Sequence, residues 1–355
     1  MENNQSRMAT SIIHNKKFMH NSLKGFFCFT LLVLCSLEAR EKPKLSSEFY
    51  ARLSAGVVKI LAPAEGKLYA GSGVVVGEGE VLTNCHVVRY SSRITVMKGA
   101  LRFPVTSQKV DVYKDLCLLD VPSLKLPPVE IRDPEEMQVG NFAYFYGYPG
   151  GADAFFTEGR VSGFHPINGS AIVKTTAGFS SGGSGGGLFD SNGRLIGITT
   201  FFSAGHSGGY YALPSSWIES LRDQKPEVIT KLEGLTLWEM GPKNQPNFLK
   251  FSRLAEKQDW DGAHAVSKIW IEAESDNFDA WLSHGVTLMN LGVDEEAMVS
   301  FNKALLLAPD NANVLFAIQE LSHKTGDSFL LESVSAKLNA IDPEGVSAGK
   351  CNMSC

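Results

Sequence analysis

Between residues 47 and 222 the apolar positions come in short runs rather than with a helical period. Residues 56–61 (GVVKIL), 73–76 (GVVV), 94–97 (ITVM) and 141–146 (NFAYFY) are rich in β-branched and aromatic side chains and are bounded by Gly, Pro, Asp or Asn. That spacing predicts many short strands joined by tight turns, an all-β barrel or sandwich. The series stops at residues 214–218, where Ser215 or Ser216 is placed to cap a short closing helix. Residues 223–246 contain Pro226, Pro242 and Pro246 and read as a linker. Residues 247–345 change to a helical period, and residues 346–355 read as a tail. A multidomain chain is expected, with an all-β domain followed by an all-α one.

The helical half is repetitive. Trp281, Gly285, Ala297, Phe301, Ala304 and Pro309 stand at the offsets of the tetratricopeptide consensus, a helix-turn-helix unit of about 34 residues. Pro343 lies one period after Pro309, and Trp260 and Ala263 lie one period before Asp294 and Ala297, so degenerate copies flank the good one. About three units are needed to bury a stacked core. These are packing residues, so they point to a fold and, through the concave face of such an array, to a protein partner. They identify no particular ligand.

Hydrophobic residues make up 44% of the 355 and charged residues 20%, enough apolar material for folded cores. The net charge of -5, with scattered Lys and Arg, argues against nucleic-acid binding. Residues 1–39 read as an export signal: Arg7, Lys16, Lys17 and Lys24 precede the apolar run 26–37, which is short for a bilayer span. Met1 and Met19 both serve as starts for it. Export to the periplasm or the extracellular space follows, with membrane attachment only if the segment is retained as an anchor. Leu34, before Cys35, is too large for a lipoprotein signal. Of the six cysteines, Cys28 and Cys35 fall in that segment and Cys351 and Cys355 in the tail. Cys85 and Cys117 stand in apolar runs and read first as small buried hydrophobes, with a bridge between them as the alternative in an oxidising compartment.

Three segments carry candidate chemistry. Residues 180–190 (SSGGSGGGLFD) surround Ser184 with glycine, which permits a tight turn and brings bare N–H groups close to its hydroxyl. A flexible linker would have the same composition, but the β-like run 194–200 follows at once. Residues 71–88 deliver His86 after an apolar strand, where an imidazole can act as a general base. Residues 110–121 contain Asp115 at the start of an apolar run, placed to orient an imidazole, with Asp111 and Asp120 as competitors. The other histidines, His165, His206 and His284 among them, read as ordinary surface or core residues.

The order His, Asp, Ser, within the motifs TNCHVV, DLCLL and GGSGG, resembles the trypsin-like serine peptidases, closest to their bacterial HtrA/Deg-type branch. The likeness runs from about residue 49 to 221 and includes residues 140–150, 156–163 and 211–215. It implies two six-stranded β-barrels with a site in the crevice between them. By motif, Ser184 would be the nucleophile, His86 the base and Asp115 its orienting acid, with the N–H groups of Gly182 and Ser184, and Gly183 between them, forming the oxyanion hole. No cofactor and no metal are implied. Two departures stand out: the family usually has Asn or Asp at position 183 and Pro or Ala at 187, and a helical array occupies the place of its usual PDZ domain. Added glycine makes the nucleophile loop more permissive. Gly178 falls near the base of the pocket for the cleaved residue, with Thr200, Phe201 and Phe202 as its wall. No acidic residue is present there, so a small or medium apolar side chain is the expected preference. The resemblance implies an endopeptidase acting on proteins or peptides; the alternative is a catalytically weak or latent scaffold that binds protein.

Overall fold

The computed structural model describes residues 45–203 and 208–341. Residues 1–44, 204–207 and 342–355 lie outside it, and with them the export segment, the tail, His206 and Pro343. Helix α1 (Ser47–Gly56) opens the described chain, its N-terminus capped by the Ser46 hydroxyl, which accepts from the Phe49 N–H at 3.1 Å. Strands β1 (Val57–Ala64) and β2 (Lys67–Gly77) form a long hairpin. Glu65 and Gly66 both take positive φ (51° and 75°), as a two-residue turn of this hand requires.

Strands β3 (Glu80–Thr83), β4 (Thr95–Lys98), β5 (Leu101–Pro104), β6 (Ser107–Asp111) and β7 (Leu116–Asp120) complete a seven-stranded sheet in the order β5-β4-β1-β2-β3-β7-β6. A short helix α2 (Cys85–Val88) follows β3. The double-barrel fold expected is present with one difference in this half, which has seven strands in place of six and is not closed by hydrogen bonds. Its outer strand β6 exchanges backbone bonds instead with Glu227, whose N–H and carbonyl meet Gln108 at 2.8 and 3.0 Å. The second half does close, as the six-stranded barrel β10-β13-β12-β11-β8-β9. Its strands are β8 (Phe142–Gly147), β9 (Phe155–Ile167), β10 (Ser170–Thr175), β11 (Gly187–Phe189), β12 (Leu195–Ser203) and β13 (Gly209–Pro214). Asn168 and Gly169 turn β9 into β10, again with both φ positive.

A 3-10 turn (Ser215–Trp217) leads into helix α3 (Ile218–Arg222). Neither serine caps it, contrary to expectation. The Ser215 hydroxyl donates to the Arg132 carbonyl at 2.6 Å, and Ser216 shares a 2.7 Å bond with Ser170. Helices α4 (Asn247–Glu256), α5 (Trp260–Ala273), α6 (Phe278–Leu291), α7 (Asp294–Leu307), α8 (Ala312–Thr325) and α9 (Ser328–Ile341) build the all-α half. Within the α6–α7 pair, Ala297, Phe301 and Ala304 are fully buried, and Gly285 lets the helices approach: a Cβ there would meet the Phe301 ring at 2.5 Å. Gly292 and Gly326, both left-handed, end α6 and α8.

The residues expected to link the halves are packed as a strap. Leu232 joins the apolar core of the first sheet, and Leu237 joins a cluster shared by the barrel (Tyr144, Tyr211) and the helices (Phe248, Phe251, Trp270). The described residues form one compact unit.

Cys85 and Cys117 are joined as a disulfide, which corrects their first reading as unbridged hydrophobes. Pairing of β3 with β7 sets Thr83 opposite Cys117, and the turn into α2 brings Cys85 back over it, with a Cα separation of 5.0 Å.

Candidate functional site

Asp115 ends the turn between β6 and β7 with φ of 55°, a left-handed conformation that Asp tolerates better than most residues. Its N–H bonds the Val112 carbonyl at 3.1 Å, and its own carbonyl accepts from Asn84 Nδ2 and from the Cys85 N–H. These bonds dock the turn onto α2. The carboxylate, fully buried, accepts from the His86 N–H at 2.8 Å and meets His86 Nδ1 at 2.6 Å. Thr200 Oγ1 donates a further bond at 3.1 Å. A carboxylate at Nδ1 makes that nitrogen the donor, leaving Nε2 as the acceptor in the neutral ring.

Burial pushes the His86 pKa down, but the charge and hydrogen bond of Asp115, with the charge of Glu239, outweigh it. The result lies above the ordinary value of 6.5. The competing carboxylates are engaged elsewhere. Asp111 caps its own turn through the Lys114 N–H at 2.9 Å, and Asp120 accepts from the Ser107 hydroxyl.

Ser184 sits where the loop turns from Ser180 toward β11. Gly182 and Gly185 take φ of 87° and 82°, and a Cβ at either would overlap backbone, of Gly150 and Ser72 respectively. The loop is tied down by the Ser72 N–H donating to the Ser184 carbonyl at 2.8 Å and by the Thr199 hydroxyl donating to the Gly183 carbonyl, also at 2.8 Å. Gly183, between the two expected oxyanion donors, turns its own N–H to the Ser180 carbonyl at 2.8 Å. The N–H groups of Gly182 and Ser184 have no hydrogen-bond partner among the described residues, and both residues border the cleft. The Ser184 hydroxyl itself donates to the Thr200 carbonyl at 3.0 Å.

The cleft has a volume of about 480 Å³ and brings His86, Ser184, Thr200, Phe201 and Phe202 together. Its walls differ. On one side Phe179 packs against Tyr210, which also faces Phe202. On the other, Phe201 lies 5.0 Å from the Trp238 ring, which meets the His86 ring edge-on at 6.0 Å. Gly178 does not border the cleft: it lies against Tyr210, its carbonyl accepts from Thr157, and its neighbour Phe179 takes the place expected for it. Trp238 and Glu239, which also line the cleft, escaped the sequence reading. The one signal for them was the apolar group Leu235, Leu237 and Trp238 inside a polar, proline-punctuated stretch.

Residues 71–198 match the family model of the trypsin-like peptidase domain. The probable periplasmic serine endoprotease DegP-like of Chlamydia trachomatis is 31% identical over 173 residues, 46% of this chain and 35% of that protein. Over these residues the chain is similar to trypsin-like peptidase domains, those of DegP-like endoproteases among them. The periplasmic pH-dependent serine endoprotease DegQ of Escherichia coli is 35% identical to it over 167 residues, 43% of this chain and 36% of that protein. The chain thus spans about a third of the length of these curated relatives, and the likeness lies in the peptidase domain. Among solved structures, a protease of M. tuberculosis in its active form superposes with a TM-score of 0.46 at 27% identity, over 56% of this chain and 91% of that one.

Proposed function

We propose that the protein is an exported serine endopeptidase that cleaves proteins or peptides through an acyl-enzyme. The observation that carries this reading is the buried Asp115 carboxylate on His86 Nδ1 at 2.6 Å, in the same cleft as Ser184. Relatives named as periplasmic endoproteases support both the activity and the compartment, and a disulfide next to His86 suits an oxidising one.

Rotation about the Ser184 Cα–Cβ bond would transfer its hydroxyl from the Thr200 carbonyl to His86 Nε2, a tightening that substrate binding commonly produces. The oxygen attacks the peptide carbonyl while Nε2 takes its proton, Asp115 stabilises the imidazolium, and that proton then goes to the leaving amine. The Gly182 and Ser184 N–H groups hold the oxyanion; loss of one such donor costs about 10²–10³ in turnover. Phe179, Tyr210 and Phe202 suit an apolar side chain on the cleaved residue. On the helical array, the exposed Val299, Leu306 and Phe329 are where contact with a protein partner is to be sought.

The test is a fluorophosphonate probe applied to the full chain and to Ser184→Ala, with casein cleavage in parallel. Labelling and cleavage lost in the variant support the reading. Labelling that persists there refutes the nucleophile, and no reaction in either chain favours a protein-binding scaffold.

A further inference from the structure

Resting on that reading, we infer that Trp238, from the strap beyond the peptidase domain, sets the size of the substrate residue that precedes the cleaved one and confines it to small side chains. Three observations lead there. First, β11 pairs with β12 only as far as Ile198, so beyond Thr199 the edge of β12 that faces Ser184 is free of a partner strand. A substrate laid on that edge in extended form directs successive side chains to opposite sides. Second, the two sides of the cleft are built differently. With the cleaved residue against Phe179, Tyr210 and Phe202, its predecessor faces His86, Phe201 and Trp238.

Third, the backbone that bears the indole is fixed. The Trp238 carbonyl accepts from Gln245 Nε2 at 2.7 Å and from Arg253 Nη2 at 2.5 Å, the latter on α4. On either side of it in sequence, the Leu237 N–H bonds the Tyr113 carbonyl at 2.9 Å, and the Glu239 carboxylate accepts from Arg89 Nη1 at 2.8 and 2.9 Å and from the Thr236 N–H at 2.9 Å. The helical half therefore supplies a wall of the site through the strap. A bulky side chain would have to displace a ring packed between His86 and Phe201, whereas Gly or Ala fits beneath it.

The experiment uses the full chain and peptide pairs that differ only in the preceding residue, Ala against Phe, cleaved by the wild type, Trp238→Phe and Trp238→Ala. The wild type should favour Ala by about tenfold or more in kcat/KM, the scale at which pockets discriminate steric excess. Trp238→Ala should bring the two peptides to within about twofold, with the preference at the cleaved residue unchanged and Trp238→Phe intermediate. An unchanged Ala-to-Phe ratio in a folded Trp238→Ala chain overturns the inference, including where all rates fall together, since that marks a purely packing role. If the wild type neither labels nor cleaves, the peptidase reading falls separately. The same pairs are then bound to Ser184→Ala with and without Trp238→Ala and followed by fluorescence anisotropy. A size discrimination that vanishes with the indole supports the inference, and equal binding of both peptides before its removal overturns it.

Discussion

Asp115 is held left-handed and fully buried, with its carboxylate bonded to a backbone N–H, an imidazole and a hydroxyl. Asn tolerates the same backbone conformation, so Asp115→Asn should fold while reversing the hydrogen bond at Nδ1 and favouring the wrong tautomer. Turnover on peptides should fall by about 10⁴ with little change in circular dichroism. His86 works as a base only when neutral, and its pKa lies above 6.5 because Asp115 and Glu239 favour the imidazolium. Activity should therefore rise with pH to a midpoint above 6.5. Glu239→Gln removes one of those charges and should move the midpoint to lower pH, read from kcat/KM between pH 5 and 9. In the sequence the motif favoured Asp115, while local pattern alone left Asp111 and Asp120 as competitors, because all three flank the same apolar strand pair. The fold separates them by directing the Asp115 carboxylate to α2, that of Asp111 to the Lys114 N–H in its own turn and that of Asp120 to Ser107 on the neighbouring strand.

At the level of elements, the glycine-rich loop contains two kinds of glycine. Gly182 and Gly185 are required by positive φ and by the backbone atoms a Cβ would overlap. At Gly183 a Cβ would meet the Phe179 side chain and the Ser180 carbonyl at 3.0 Å, and at Gly187 it would meet the Phe189 ring at 2.3 Å, with no positive φ at either. The two glycines that depart from the family pattern thus answer to neighbouring atoms and not to a left-handed backbone. Gly182→Ala should abolish probe labelling and cost about 1–3 kcal/mol of stability, measured by denaturant titration. The disulfide joins residues 32 apart and ties the α2 segment to β7. Replacing Cys85 and Cys117 together by Ser should lower stability by about 3 kcal/mol on loop-closure grounds, and reductant should lower the wild-type Tm but not that of the variant. Strands, turns and the α6–α7 pair were readable from local pattern. The failed cap at Ser215 and Ser216 was not, since each hydroxyl is drawn to a distant partner, Arg132 or Ser170.

For the molecule as a whole, the barrel and the helices share a core and a buried ion pair. Lys174 on β10 donates to both carboxylate oxygens of Asp279 on α6, at 3.1 and 2.8 Å, with both side chains almost wholly buried. Beside them His165 stacks on Phe248 at 4.0 Å. Asp279→Ala leaves Lys174 buried and uncompensated and should cost about 3–5 kcal/mol, whereas Lys174→Met with Asp279→Leu should cost far less. Calorimetry should show a single transition for both halves. Burial pushes the His165 pKa down to about 3, against the attraction of Asp279. The unfolded chain therefore binds the extra proton between about 6.5 and 3, so this contribution to stability is whole above 6.5 and declines as pH falls through that window.

What the sequence determined by itself is what local pattern and motif encode: short strands followed by paired helices, and three chemistry-bearing motifs whose order singled out His86, Asp115 and Ser184. Each rests on residues close together in the chain. What only the tertiary structure decided involves partners far apart in it: the open first sheet edged by Glu227, the disulfide, and the return of residues 223–246 to place Trp238 against His86. No periodicity marks such contacts, because a strap is held by single hydrogen bonds and isolated side chains rather than by a repeating face.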